Sequence, residues 1–353
     1  MRVRPGGGFV KQARRGAHIG MRPRLPGQQL LLRSIICVLI MGEAVLAQTS
    51  VDDLHTTPVS SAVVKQSPNS SLTSAVASFK SRVDLVMVPV SVTDGTNRIV
   101  VGLEKQNFEI YENKRLQSIN TCSSEDAPLS VGIILDTSGS MQDKLAQARQ
   151  AVYDFVVTAN PDDEFFMITF SDSPVQAVNF GAPPAEIENQ LLYLVPKGST
   201  ALLDALYLGI TKMRSAKYSR RAILIVSDGG DNHSRYTERE VRRVAKEADV
   251  MIYAIGIYDR FFETEEERLG PTLLADLSDL TGGRDFVIES SSDLVDVANK
   301  IGIELRNQYV LSYTPKDTLR DGKWHKISVK LMPPKGLPAL RAHAKEGYYA
   351  PIE

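Results

Sequence analysis

The chain has 353 residues, enough for one large domain or two. Apolar residues make up 43% and charged residues 24%, a globular balance that excludes a disordered, collagen-like or polytopic membrane chain. The formal net charge of −1 lacks the basic excess of a general nucleic-acid binder, so no nucleic-acid partner is expected.

That charge is unevenly spread. Residues 1–47 hold eight of the 41 basic residues and one of the 42 acidic ones, leaving −8 for the rest of the chain. After Arg33 come the apolar run Ile35 to Met41 and then Val45-Leu46-Ala47-Gln48. A basic stretch, a short apolar core and small residues before a cut describe a secretory signal peptide over 1–47, cleaved before Gln48. Met21 as the true start gives a signal of ordinary length. The alternative is an uncleaved membrane anchor, but only nine uncharged residues separate Arg33 from Glu43. That is too few to span ~30 Å of hydrocarbon. Export to the periplasm, the cell surface or the medium is expected, with membrane attachment only if the segment is retained. The mature chain keeps a single cysteine, Cys122, which cannot form an internal disulfide and is expected to be buried as a small apolar residue.

Residues 48–80, rich in Ser, Thr, Val and Pro without a period, read as a flexible linker. From Val83 the apolar residues alternate through Val92, a strand, and Asp94-Gly95 supplies a turn. Ile99 to Val101 and Phe108 to Tyr111 read as further strands, with a hairpin turn at Glu112-Asn113-Lys114. This all-β stretch is too short to hold a core alone. At Leu129 the pattern changes. Val131 to Leu135 is a continuous apolar run, as in a strand buried on both faces. A helix follows, carrying Leu145, Ala148, Val152, Phe155 and Val156. Further strands are predicted at Phe165 to Phe170, Val175 to Phe180 (at an edge), Ala222 to Val226, Val250 to Ile257 and Phe286 to Ile288. Helices are predicted near 184–194, 201–216, 237–247, 271–281 and 291–307. Such alternation gives an α/β fold with a doubly wound, mostly parallel sheet. From Tyr309 the chain returns to β, with strands at Tyr309 to Thr314, Trp324 to Leu331 and Ala339 to Ala344. Neither β flank suffices alone, so 81–127 and 308–353 are expected to form one β-sandwich into which 128–307 is inserted. Trp324 is expected in its core, and the acidic run Glu263 to Glu267 on a solvated face.

Three segments carry chemistry. Asp136-Thr137-Ser138-Gly139-Ser140 sits where the first buried strand meets the first long helix, the place where open α/β sheets bind ligands. Lys197-Gly198-Ser199-Thr200 precedes a helix, and Ser227-Asp228-Gly229 follows a second buried strand. Asp136, Ser138, Ser140, Thr200 and Asp228 together offer two carboxylates and three hydroxyls. These hard oxygen donors suit Mg²⁺, Mn²⁺ or Ca²⁺ rather than zinc, with room for water and an external ligand. The plainer reading, that the serines only cap a helix, accounts for one such turn but not for three segments in this order. Asp204 is a candidate brace, and Asp231, Asn232 and His233 are either rim contacts or an ordinary polar loop.

Asp-x-Ser-x-Ser, a later Gly-x-Thr and a Ser-Asp-Gly resemble the metal-ion-dependent adhesion site of von Willebrand factor type A domains, over roughly 129–307. The flanks, with Gly347-Tyr348-Tyr349-Ala350-Pro351, resemble bacterial exported proteins of that kind. The resemblance implies that Ser138, Ser140 and Thr200 touch the metal and that Asp136 and Asp228 act through water. It also implies an exported adhesion-type module whose protein partner completes the metal's coordination with an Asp or Glu carboxylate. An envelope assembly or scaffold factor is the alternative, and a metal-dependent hydrolase a more distant one. The enzyme reading lacks its groups. Ser138 and Ser140 lie in no Gly-x-Ser-x-Gly elbow, and of the mature histidines only His233 falls near the site. An aspartyl-phosphatase lacks the second acid after Asp136, and no phosphate-cradling glycine loop is present. No small-molecule substrate is expected.

Overall fold

The computed structural model describes residues 85–352 except 125, 229, 258–264, 317–320, 335 and 337. The signal-like segment 1–47 and the linker 48–80 lie outside these residues.

The first flank forms β1 (Val86–Asp94), β2 (Phe108–Glu112), β3 (Arg115–Gln117) and β4 (Ile119–Ser123). The turn after β1 is built by one side chain: Asp94 Oδ1 accepts from the Thr96 amide at 2.8 Å and the Arg98 amide at 3.0 Å. The strand expected over Ile99 to Val101 does not form. Ile99 makes only an isolated bridge to Thr93, and Val101 is 60% exposed. The Asp94 turn spends itself pairing 98–100 back on β1, and Gly102 at φ 81° then swings the chain away. The predicted hairpin between β2 and β3 is present, with Asn113 at φ 48° and Lys114 at φ 69°, the left-handed pair that a two-residue turn requires.

The α/β region runs β5 (Ser130–Asp136), α1 (Leu145–Val157), β6 (Glu164–Phe170), β7 (Pro174–Val178), α2 (Pro184–Leu192), α3 (Leu202–Lys212), β8 (Arg221–Ser227), α4 (Glu238–Glu247), β9 (Met251–Ile257), α5 (Glu265–Thr281), β10 (Asp285–Ile288) and α6 (Leu294–Arg306). The sheet order is β10-β9-β8-β5-β6-β7, parallel throughout except for the antiparallel edge strand β7. Alternate residues of β5 enter opposite cores. Ile133 and Leu135 pack with α1, α2 and α6, whereas Ile134 packs with α3, α4 and α5. The fold is therefore doubly wound, with β5 at the point where strand order reverses. Helix α5 starts six residues before the predicted Pro271, which lies inside it. The run Glu265 to Leu269 consists of good helix formers, and it outweighs the one amide hydrogen bond that proline removes.

The second flank adds β11 (Tyr309–Tyr313), β12 (Trp324–Leu331), β13 (Leu340–Ala344) and β14 (Gly347–Tyr349). Two antiparallel sheets result, β13-β1-β11-β4 and β14-β12-β2-β3, each drawing strands from both flanks. They share one core containing Val88, Val90, Ile110, Tyr309, Leu311, Tyr313 and Ile327. Trp324 is not part of it. Its ring is half-buried, lies edge-on to Tyr349 at 5.1 Å and sits beneath Lys246 of α4 at 5.2 Å, because β12 turns that residue outward. Cys122 is free and only half-buried, packed at the margin of the sandwich core. Among the described residues no helix is long and apolar enough to cross a membrane.

Sandwich and α/β region also meet through a buried polar network. Glu304 accepts from Arg284 Nη1 at 2.7 Å and from the Tyr253 hydroxyl at 3.0 Å. Gln308 Nε2 donates to the Tyr253 hydroxyl at 3.1 Å and to Ser91 Oγ of β1 at 3.2 Å.

Candidate metal centre

Two adjacent parallel strands end in acids. Asp136 is the last residue of β5, and Asp228 follows the last residue of β8. Their side chains are joined by a chain of short hydrogen bonds. Asp136 Oδ1 accepts from the Ser138 amide at 2.8 Å, and Oδ2 accepts from Ser227 Oγ at 2.6 Å. Ser138 Oγ and Ser140 Oγ lie 3.1 Å apart, and Ser140 Oγ donates to Asp228 Oδ1 at 2.8 Å. Lys144 Nζ donates to Asp228 Oδ2 at 2.8 Å. Asp136, Ser138 and Asp228 are buried, whereas Ser140 is exposed, so the cluster opens to solvent at Ser140.

The structure thus brings four of the five predicted residues into one hydrogen-bonded cluster. Thr200 joins by its backbone neighbours. Gly139 N donates to Gly198 O at 3.0 Å and Lys197 N to Thr137 O at 2.9 Å, which docks the 197–200 loop on the Asp136 loop. The Thr200 hydroxyl itself is hydrogen-bonded to none of the other four.

The braces of that loop were not singled out as such by sequence reasoning. Asn232 Oδ1 accepts from Thr200 N at 2.8 Å, while the amides of Asn232 and His233 donate to Thr200 O at 3.0 and 3.2 Å. Asp231 Oδ2 accepts from Leu203 N at 2.9 Å, inside the first turn of α3. Asp231, half-buried, and Asn232, exposed, therefore each lend a side-chain oxygen as a support. Asp204, a candidate brace of the Thr200 loop, instead accepts from the amides of Arg235 and Tyr236 at 2.8 and 2.9 Å. Burial works against its ionised form, but these bonds prevail and its carboxyl lies below the usual range. Asp172, unremarked in the sequence, accepts from Ser199 N at 2.7 Å, and that bond holds its carboxyl low. Gly198 sits at φ 79°, and a Cβ there would come within 2.7 Å of the Asp172 carboxylate. The available signal was Asx residues in the loops that follow β6 and β8, where such side chains bind nearby amides.

The donor set can be tested for a cation by its own chemistry. Burial pushes the Asp136 carboxyl up to about 6, opposed by the bonds from Ser227 and Ser138 and reinforced by neighbouring Asp228. A divalent ion beside the pair would relieve that repulsion and keep both acids ionised. No group of three or more His, Cys, Asp or Glu suited to a metal occurs among the described residues. A cation here would therefore depend on the hydroxyls, a hard-oxygen environment that fits Mg²⁺, Mn²⁺ or Ca²⁺.

Comparison with known proteins places the fold. Residues 130–298 match the family model of the von Willebrand factor type A domain. Among solved structures, the chain is similar to a von Willebrand factor type A protein from Catenulispora acidiphila, at 12% identity over 76% of this chain and 75% of that one, TM-score 0.45. It is similar to an aerotolerance-related membrane protein from Bacteroides fragilis NCTC 9343, at 16% identity over 50% of this chain and 98% of that one, TM-score 0.41. It is also similar to proximal thread matrix protein 1 from the mussel byssus, solved with a zinc-occupied MIDAS motif, at 16% identity over 55% and 50% of the two chains, TM-score 0.45. No curated protein matches the chain.

Proposed function

Residues 130–298 being a von Willebrand factor type A domain, we propose that this protein is an exported, divalent-metal-dependent module for binding other proteins. One observation carries the reading: the hydrogen-bonded run Asp136–Ser138–Ser140–Asp228 across two adjacent strand ends, open at Ser140, with the Thr200 loop docked beside it. Asp136, Ser138, Ser140, Thr200 and Asp228 would hold Mg²⁺, Mn²⁺ or Ca²⁺, the three hydroxyls directly and the carboxylates through water. When bound, the ion supplies a positive centre for an Asp or Glu carboxylate of the partner. The chain's own part is to keep the hydroxyls presented. Asn232 and Asp172 fix the Thr200 loop, and Ser227 orients Asp136.

Binding rather than catalysis is supported by where the hydroxyls point. Ser140 donates to a carboxylate and Ser138 bonds Ser140, so neither is paired with a histidine base. The basic and apolar segment before Gln48 supports export. The strand pairings support a sandwich of 81–127 with 308–353 around an inserted 128–307.

Calorimetric titration with Mg²⁺ and Mn²⁺ tests the site. Wild-type protein should bind one equivalent, and Asp136→Ala, which removes a carboxylate acting through water, or Thr200→Ala, which removes a direct hydroxyl, should lower affinity about ten- to a hundredfold. Circular dichroism controls the fold. Undiminished affinity in a folded Asp136→Ala, Thr200→Ala double variant would exclude this site.

A further inference from the structure

Asp228 has a partner that an oxygen-donor set does not call for. Lys144 stands one residue before α1, yet its side chain makes no capping bond to that helix. It reaches instead to Asp228 Oδ2 at 2.8 Å, while Ser140 holds Oδ1. The lysine side chain is 15% exposed and the carboxylate 1%, so water and salt screen the pair little.

The charges decide what this does. Asp136 and Asp228 bring two negative charges, enough to neutralise one divalent cation. Lys144 brings a positive charge to the same carboxylate, so a loaded centre would carry a net positive charge where the acids alone would leave it neutral. Like charges repel, so the ammonium weakens the hold on the ion. The uncancelled charge attracts an anion to the open face at Ser140.

We infer that Lys144 is a selectivity residue of this centre: it loosens the cation and, in exchange, keeps the loaded site positive so that anionic ligands are favoured. The inference rests on the metal-centre reading given under Proposed function. It predicts two effects of opposite sign from one substitution. A merely structural lysine would not do this, since its loss would weaken both events together.

The test uses Mn²⁺ and acetate as probes on the full chain. Calorimetry reads Mn²⁺ binding, and water-proton relaxation of the Mn²⁺-loaded protein reads acetate. In Lys144→Gln the amide still donates to Asp228 but carries no charge. We expect its Mn²⁺ affinity to rise about tenfold, at the lower end for a charge-assisted hydrogen bond. Its acetate affinity should fall about threefold or more. Lys144→Arg, which keeps the charge, should follow wild type in both. Lys144→Met is read in the same way if the glutamine variant fails to fold. Mn²⁺ affinity at or below wild type in the neutral variants, unchanged acetate binding, or an arginine variant that behaves like the neutral ones overturns the inference. Wild-type protein that takes up no Mn²⁺ overturns the metal-centre reading itself, and the inference with it.

Discussion

Two buried polar clusters occupy different parts of the same parallel sheet, and they are built in contrasting ways. Near the sandwich, Arg284 and Glu304 pair at 2.7 Å, and Tyr253, Gln308 and Ser91 complete the network. Burial first, and then the Glu304 carboxylate, hold the Tyr253 hydroxyl protonated, so it serves as a fixed donor. Positive and negative charge balance, and the cluster is enclosed. At the carboxyl ends of β5 and β8, two acids face one lysine and one hydroxyl group reaches solvent. The first arrangement is balanced in charge without a ligand, although Gln308 Oε1 has no hydrogen-bond partner among the described residues, whereas the second has a charge deficit and an opening. The two clusters thus differ less in burial than in charge balance and access.

Removing one member of the closed cluster should have the largest effect. Glu304→Ala leaves Arg284 buried without its partner and should cost about 3–5 kcal/mol of stability, read from urea denaturation. Mn²⁺ affinity of the folded fraction should be unchanged, because the open cluster shares no residue with this one. A loss of metal binding at constant stability would collapse the distinction between the two.

A smaller effect is expected from a brace of the open cluster. Asn232→Ala orphans the Thr200 amide and should cost about 1–3 kcal/mol. Because the Thr200 loop loses its anchor, Mn²⁺ affinity should drop several-fold while stoichiometry stays at one site. Stability loss without any change in Mn²⁺ affinity would show that the loop is held adequately by Asp172 and the docking bonds alone.

The last effect concerns protons near the closed cluster. His343 lies on β13, where burial, and then the charges of Arg284 and Arg341, push its ring down to about 4 from 6.5. The unfolded chain therefore binds a proton between pH 6.5 and 4 that the folded one refuses. Stability present above pH 6.5 is lost as pH falls toward 4, and stays at its lowered level below that. His343→Gln should flatten this part of the profile when denaturation midpoints at pH 7.5 and 4.5 are compared with wild type. An unaltered profile would mean that His343 titrates normally.

The periodicity of the chain reported its layers well. The continuous apolar run in β5 identified a strand buried throughout, but the alternation in β1 matches its burial only from Val86 to Val90, because Ser91 to Asp94 are all buried. Ile99 to Val101 misled because three β-branched residues look like a strand, and only the reach of Asp94 over the following turn decides otherwise. Trp324 misled because size suggests burial, while the register of β12 sets which face a residue takes. At the candidate site, Asp136, Ser138, Ser140 and Asp228 could be grouped from their places after buried strands. The pairing of Lys144 with Asp228 spans 84 residues and that of Asp172 with Ser199 spans 27, so neither leaves a local pattern to read.

The α/β region is attached to the sandwich by the end of β4 and the start of β11, and these two strands pair side by side with Ser123 opposite Val310. Mechanically, both tethers leave from the same end of one antiparallel ribbon. A pull delivered by a captured partner would draw the two strands in the same direction rather than peel one from the other. The tension would pass to β1, hydrogen-bonded along β11 from Tyr309 to Tyr313, and would act there in shear, on all the rungs together instead of one after another.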